Sequence, residues 1–429
     1  MIFLIIIAVI ALSIIAWFRA PWALALVIVG TPGYLLKTDI AGIPITLLEA
    51  MIVGMMLGWF VRRLATKTLR DAVRTVFAAV PRALWLPSAA LMLGWLVSTF
   101  MSIDVRASLG AMKAWFIEPT LIGLVALVEL NNEKTRTLAL RAMLAALSWV
   151  SLAGIAQMLF FRSTLQDGRL SSVFAPVANY FAMFAAPLIV IALGMVLMNK
   201  DRMLAACAAG LGIVALVLSF SYGGFMAVGA GAIILSVTLL SSSQRRRALT
   251  VLVVVAVVGF LALLPTRLFH EKLNFSTRSS SLVRTEIWRK ALEIGRQHPL
   301  YGIGPNTFEK EYRIVAPTLF HPPLEWLVAK PHNLYLNAWV ETGLLGIIGF
   351  LWFMTLFLMR LFRSHSTESR IALISGAATV AILVHGLVDT PLFKNDLSVI
   401  GGIIVALGLA AASSRTHEEK NYPRVMRGE

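Results

Sequence analysis

His332 stands in the tetrad Lys330-Pro331-His332-Asn333, at the edge of an apolar run that begins at Leu334. An imidazole placed there can take a proton near neutral pH, which is what a general base requires. It can equally be an interfacial histidine that caps a helix, and the residue types alone leave both readings open. Lys330, when charged, would lower the pKa of its neighbour His332 and help keep the ring neutral. Glu341 follows nine residues after His332, about 13 Å deeper along a helix. An acid inside a membrane span is costly and a functional candidate by default. At that depth it is expected to pair with a basic residue on another helix rather than to share a substrate atom with His332. Gly343, Gly346 and Gly349 read as a small face for close helix packing.

Other polar residues with chemical potential are Arg284, one helical turn before Trp288, and Arg169, ahead of the seventh apolar run, Val173–Met198. A guanidinium near a membrane interface can clamp phosphate with two parallel hydrogen bonds. The plainer reading of Arg284 is a surface charge paired with Glu286 or Glu293. Tyr301, Asn306, His321, Glu325, Asp389, Lys394, Asn395 and Asp396 complete the set. No Walker or dinucleotide fingerprint, serine elbow or closed metal-ligand spacing is present. Asp389 and Asp396 are weak candidates for holding a cation. The single cysteine, Cys207, excludes an intrachain disulfide and a cysteine-based metal cluster. No cofactor is expected.

These residues must be positioned by membrane helices. The chain has 429 residues, of which 58% are hydrophobic and only 14% charged, far fewer charges than the quarter usual in soluble domains. Mean hydropathy is +0.81. Thirteen apolar stretches are long enough to be considered as spans, the first two being the short Ile2–Phe18 and Trp22–Leu36. The expected fold is therefore an all-α polytopic membrane protein with about 12–13 transmembrane helices. Met1–Trp17 lacks the marks of a cleavable signal and is read as a span. The net charge of +16 does not point to nucleic acid, because Arg and Lys fall in short loops between alternate spans. Those loops read as topology signals and contacts to anionic lipid, which makes that side cytoplasmic. The expected layout is helices 1–10 over residues 1–264, an outer loop over 265–331, helices 11–13 over 332–412 and a basic cytoplasmic tail over 413–429. The outer loop is much longer than a plain connection, which argues for function. Within it, Ser279–Ser281 can cap a helix striped by Val283, Ile287, Ala291 and Ile294 and ending near Gln297-His298-Pro299. Asn306 and Glu309 resemble a capping box opening a helix over Thr307–Val315. Leu64–Arg82 reads as an amphipathic helix lying on the inner surface. Asn274-Phe-Ser276 matches a glycosylation sequon by pattern only.

Four segments together carry a family resemblance. Pro331-His-Asn-Leu-Tyr-Leu336 with Glu341-Thr-Gly-Leu-Leu-Gly346 is one. Arg284-Thr-Glu-Ile-Trp288-Arg-Lys-Ala291 followed by His298-Pro-Leu-Tyr-Gly-Ile-Gly-Pro-Asn306-Thr-Phe308 is the second. Gly168-Arg169-Leu-Ser-Ser-Val-Phe174, with Asn179 further on, is the third, and His385-Gly-Leu-Val-Asp389-Thr-Pro391 with Phe393-Lys-Asn-Asp396 the fourth. They span about the C-terminal two thirds, and the chain resembles the O-antigen ligase and polymerase superfamily. The resemblance implies a metal-independent, inverting membrane glycosyltransferase of the bacterial inner membrane, with its site facing the periplasm. It would move a glycan from an undecaprenyl-type pyrophosphate carrier to a hydroxyl on lipid A-core, another glycan or a protein. It implies His332 as the base and Arg284 and Arg169 as pyrophosphate contacts. Lys330, Asn333, Tyr301, Asn306, Asn179 and Asp389 would bind substrate. One position departs: many members carry Ser-Arg-Gly where this chain has Ser221-Tyr222-Gly223. The missing guanidinium would have to come from elsewhere, Lys330 or Arg169 being the candidates. Two readings from other classes remain. A transporter would run a polar path through Lys113, Glu118, Glu341 and Asp389, although no inverted repeat is visible. A non-catalytic envelope-assembly scaffold would be compatible with Tyr222.

Overall fold

The computed structural model describes residues 1–40, 43–165, 168–174, 177–263, 280–319, 324–363 and 369–413. His321, the sequon at Asn274 and the tail beyond Ser413 lie outside them. The architecture is all-α, with one small antiparallel hairpin, β1 (Lys37–Ile40) and β2 (Ile43–Thr46). The helices are α1 (Ile2–Val29), α2 (Leu47–Ala65), α3 (Leu69–Ala79), α4 (Trp85–Phe100), α5 (Val105–Met112), α6 (Glu118–Glu129), α7 (Glu133–Phe160), α8 (Ala178–Leu197), α9 (Arg202–Ser219), α10 (Tyr222–Leu239) and α11 (Ser242–Leu263). They continue with α12 (Ser280–Gln297), α13 (Phe308–Leu319), α14 (Leu334–Phe362), α15 (Ser369–His385) and α16 (Asn395–Ser413). A π-type turn, Lys113–Ile117, joins α5 to α6. Nine of the described helical stretches are long and apolar enough to cross a membrane.

The first two expected spans are one helix. α1 extends from Ile2 to Val29 across a kink at Arg19, whose backbone is non-helical (φ −147°, ψ 64°). Pro21 explains the bend: its ring collides with the carbonyl four residues back and it cannot donate a helical hydrogen bond. The remainder of the second stretch turns at Gly30 and passes through a short 3-10 turn, Thr31–Leu35, into the hairpin. Leu64–Arg82 is likewise not one helix. α2 ends at Ala65, and the amphipathic α3 exposes Arg70 and Arg74 while burying Ala72 and Ala79.

Contacts sort the loops onto two ends of the bundle. At one end, Arg63 meets Glu129 at 2.9 Å, Arg141 meets Asp201 at 2.8 Å and Lys200 meets Glu133 at 3.9 Å. At the other, Lys113 meets Glu49 at 3.1 Å and Ser108 donates to Pro305 O at 2.9 Å, while Lys310 pairs with Asp104. His332 belongs to this second end. The enclosed helices α8 and α16 carry buried side chains around most of their circumference, as helices wrapped by other protein do.

The long segment between α11 and α14 supplies two helices. α12 buries Ile287, Ala291 and Ile294 against Phe308, Tyr312 and Ala316 of α13, on the expected stripe. α13 starts at Phe308 and extends to Leu319, past the expected end at Val315. Asn306 is not its capping residue: it has a left-handed backbone (φ +63°), and Thr307 turns its hydroxyl back onto the Ile303 and Gly304 carbonyls.

This segment is built into α14. Gly343 breaks that helix with φ +68°, ψ −175°, a region essentially restricted to glycine. The break frees backbone groups, and the preceding loop satisfies them. Ile303 N–H donates to Val340 O at 3.0 Å, Gly304 N–H to Glu341 O at 3.1 Å, and Leu344 N–H to Pro299 O at 3.0 Å. Of the three glycines expected to pack closely, Gly346 and Gly349 do so against Gly94 and Leu91 of α4. Gly343 instead makes the break.

Candidate active site

The backbone around His332 is fastened on both sides. Trp288 of α12 donates its indole N–H to Pro331 O at 2.9 Å. Asn333 caps α14, its Oδ1 accepting from Leu336 N–H at 2.9 Å, and its Nδ2 donates to Leu387 O at 3.0 Å. Leu334 N–H reaches Gly386 O at 2.7 Å. His332 itself is held in the left-handed region (φ +50°), an unfavourable conformation for a non-glycine residue that persists only where the surroundings impose it. Its imidazole is 41% exposed, so a substrate can reach it.

Asp389, on the loop between α15 and α16, lies opposite. His332 Nδ1 and Asp389 Oδ1 are 3.2 Å apart. Asp389 Oδ1 also accepts from Thr390 N–H at 3.0 Å, and its Oδ2 accepts from Asn179 Nδ2 at 3.1 Å. Burial alone would push this carboxyl up. The His332 hydrogen bond and the charges of His332, His385 and Arg284 outweigh it and hold the group down at about 2. An ionised carboxylate can only accept, so Nδ1 carries a proton, and in the neutral form of the ring the lone pair is then on Nε2.

The line of contacts continues. Asn179 Oδ1 accepts from Arg169 Nη2 at 3.0 Å, and Arg169 Nε donates to Ser219 O at 2.9 Å. Arg169 thus rests against the turn that opens α10, where Tyr222 stands. Arg284 sits on α12 one turn before Trp288, near enough for its charge to act on Asp389. Neither Glu286 nor Glu293 pairs with it: Glu286 is taken by the buried Lys290 and by Leu324 N–H, and Glu293 bonds Gln297. His332, Asp389, Asn179 and Arg169 therefore form one line of contacts, with Arg284 close enough to act on it by charge.

Other expected site residues sit elsewhere or are otherwise occupied. Lys330 turns away from His332 to bond Glu341 at 2.7 Å, its ammonium 4.3 Å from the Trp115 ring centroid and 5.6 Å from that of Phe393. Burial pushes Lys330 below the ordinary lysine value and Glu341 opposes that shift. The partner of Glu341 is thus the loop ahead of its own helix, not another helix. Tyr301 is half-exposed on the turn that docks at the Gly343 break. Asn306 is exposed beyond it. Asn333 spends both ends of its amide on tethering.

The structure also shows a neighbour that residue types did not reveal. The Lys394 ammonium lies 3.0 Å from the Tyr180 ring centroid and 4.7 Å from that of Tyr34. Burial brings Lys394 down to about 8 against the opposing charges of Asp396 and Asp389. Lys394 stands among the polar residues already singled out by type, and Tyr180 directly follows Asn179, but neither position indicates that the two meet. Among the described residues no group of three or more His, Cys, Asp or Glu side chains could hold a metal ion.

Residues 207–351 match the family model described as O-Antigen ligase. The match covers about a third of the 429 residues and takes in Arg284, Lys330, His332 and Asn333. It supports the O-antigen ligase and polymerase superfamily of membrane glycosyltransferases, to which four separate segments already pointed. Arg169, Asn179 and Asp389 lie outside the matched O-antigen ligase region, and the fold brings them to its histidine. No curated protein matches the chain.

Proposed function

We propose that this protein transfers a glycan from a polyprenyl-diphosphate carrier to an acceptor hydroxyl, with His332 as general base, at the periplasmic face of the bacterial inner membrane. The observation that carries this reading is the 3.2 Å contact of His332 Nδ1 with the buried Asp389. It leaves Nε2 of a part-exposed ring without that contact, with Arg284 near enough for its charge to act on Asp389 and Arg169 joined to Asp389 through Asn179. In the proposed step the acceptor oxygen attacks the anomeric carbon and gives its proton to His332 Nε2. The bond from that carbon to the diphosphate breaks, its electron pair leaves with the diphosphate, and the configuration inverts. Arg284 and Arg169 stabilise the charge that develops on the leaving group. Arg169, resting on the Ser219 carbonyl, brings a guanidinium to the turn where Tyr222 replaces the family's arginine. We assign ligase-type transfer to a glycolipid acceptor. A glycan or protein acceptor would use the same groups.

The experiment is transfer by the purified protein in lipid nanodiscs, given a polyprenyl-diphosphate oligosaccharide and candidate acceptors with no ion gradient. His332→Ala and Arg284→Ala should each lower transfer by roughly 10²-fold or more, the scale of a lost acid–base or charge-stabilising group. Transfer at the wild-type rate by both variants would remove the assignment. Movement of an ion or solute across sealed vesicles, without transfer, would favour a transporter.

A further inference from the structure

Asn179 occupies an unusual position between unlike charges. It is the second residue of α8 and touches Arg169 with one end of its amide and Asp389 with the other, at 3.0 and 3.1 Å. A guanidinium has only donors and an ionised carboxylate only acceptors. The amide therefore has one permitted orientation, Oδ1 toward Arg169 and Nδ2 toward Asp389. Asp389 is buried, and its two oxygens divide their work: Oδ1 faces His332 and Thr390 N–H, while Oδ2 faces Asn179. Without Asn179, Oδ2 would lose that donor in a buried setting, at a cost that favours rotation of the whole carboxylate. Rotation would take Oδ1 off His332.

We propose that Asn179 is a positioning residue that fixes the His332 tautomer through Asp389, using Arg169 as the anchor for its own orientation. The proposal rests on the reading of His332 as base. Asn179 thereby joins the segment ahead of α8, the turn before α10 and the loop after α15 into one support for the imidazole. It touches neither acceptor nor donor. The charged and titratable groups around the Asn179–Asp389 contact are Arg169, His332, His385, Arg284, Lys394 and Tyr180.

The test reads the ring directly. Full-length protein with ¹⁵N-labelled histidine, in nanodiscs, is measured above the pH at which His332 loses its extra proton. The His332 signal is identified by its loss in His332→Ala. Wild type should show the Nδ1–H form alone. Asn179→Ala, and the isosteric Asn179→Asp, which keeps the acceptor toward Arg169 but loses the donor toward Asp389, should each show a mixture with the Nε2–H form. In an Asp389→Ala background the Asn179 substitutions should change the His332 signal no further, because their effect passes through that carboxylate. A pure Nδ1–H signal in folded Asn179→Asp overturns the proposal, as does a further change in the Asp389→Ala background. Failure of the base reading is distinguishable: transfer would persist in His332→Ala while the tautomer shifts remained.

Discussion

The Lys330 ammonium and the Glu341 carboxylate meet at 2.7 Å, with 11% and 0% of their side chains exposed. Removing one partner of a buried ion pair leaves the other charge uncompensated, which costs about 3–5 kcal/mol, whereas replacing both by apolar groups is often close to neutral. Lys330→Met and Glu341→Leu should each lower the thermal midpoint of the detergent-solubilised protein strongly. The double variant should recover most of the loss. Additive losses in the double variant would mean that the pair contributes nothing as a pair.

Gly343→Ala should be among the most damaging small substitutions in α14. An alanine Cβ there would lie 2.1 Å from Leu300 O, on a backbone with φ +68°. Strain and overlap together predict a loss of at least ~2 kcal/mol. Gly229 of α10 is the control, because a Cβ at that position meets nothing within 4 Å. Equal melting of Gly343→Ala and Gly229→Ala would count against the break as a built feature.

Asp389 is held at about 2 against an ordinary value of 3.8. A carboxyl depressed by folding contributes stability above its unfolded pKa and loses it as pH falls through the folded one. The melting advantage of wild type over Asp389→Asn should hold steady above about pH 5 and shrink between about pH 4 and pH 2. A gap that stays constant over that interval would show that the carboxylate charge is not what stabilises this loop.

Lys394 is lowered too, but for a cation a lowered value has the opposite consequence for stability. Its value falls from 10.5 to about 8, so folding disfavours its charged form. That cost appears as pH drops below 10.5 and is complete below about 8. Lys394→Met should therefore melt higher than wild type at pH 7, with the gain fading as pH approaches 10. A larger gain at pH 10 than at pH 7 would contradict the burial argument.

Hydropathy made the membrane helices legible, because each must satisfy its own backbone in hydrocarbon. It could not show that Pro21 bends one helix instead of separating two. His332, Asp389, Asn179 and Arg169 were each legible as residue types, but their linkage was not. His332 and Asp389 are 57 positions apart and Asn179 and Asp389 are 210, and only helix packing brings them together. Lys330 misled for a different reason. A ruler of 1.5 Å per residue measures depth along a helix, yet it ignores the reach of a lysine side chain lying back along the same helix onto Glu341. The Lys394–Tyr180–Tyr34 cluster was hidden because three separate elements supply it.

The amides of Ile303 and Gly304 complete the backbone of α14 where Gly343 interrupts it. The Val340 carbonyl therefore depends on a loop that lies some forty positions earlier in the chain, while the Glu341 carbonyl is shared between that loop and the Ser98 hydroxyl of α4. The outer segment and the first half of α14 are in this sense a single inheritable piece. Grafting the outer segment from a relative would strand the Val340 carbonyl and cost Glu341 O one of its two donors unless the stretch through Leu344 travelled with it. Recombination that respects this seam keeps α14 whole, and recombination that cuts across it leaves a membrane helix unfinished.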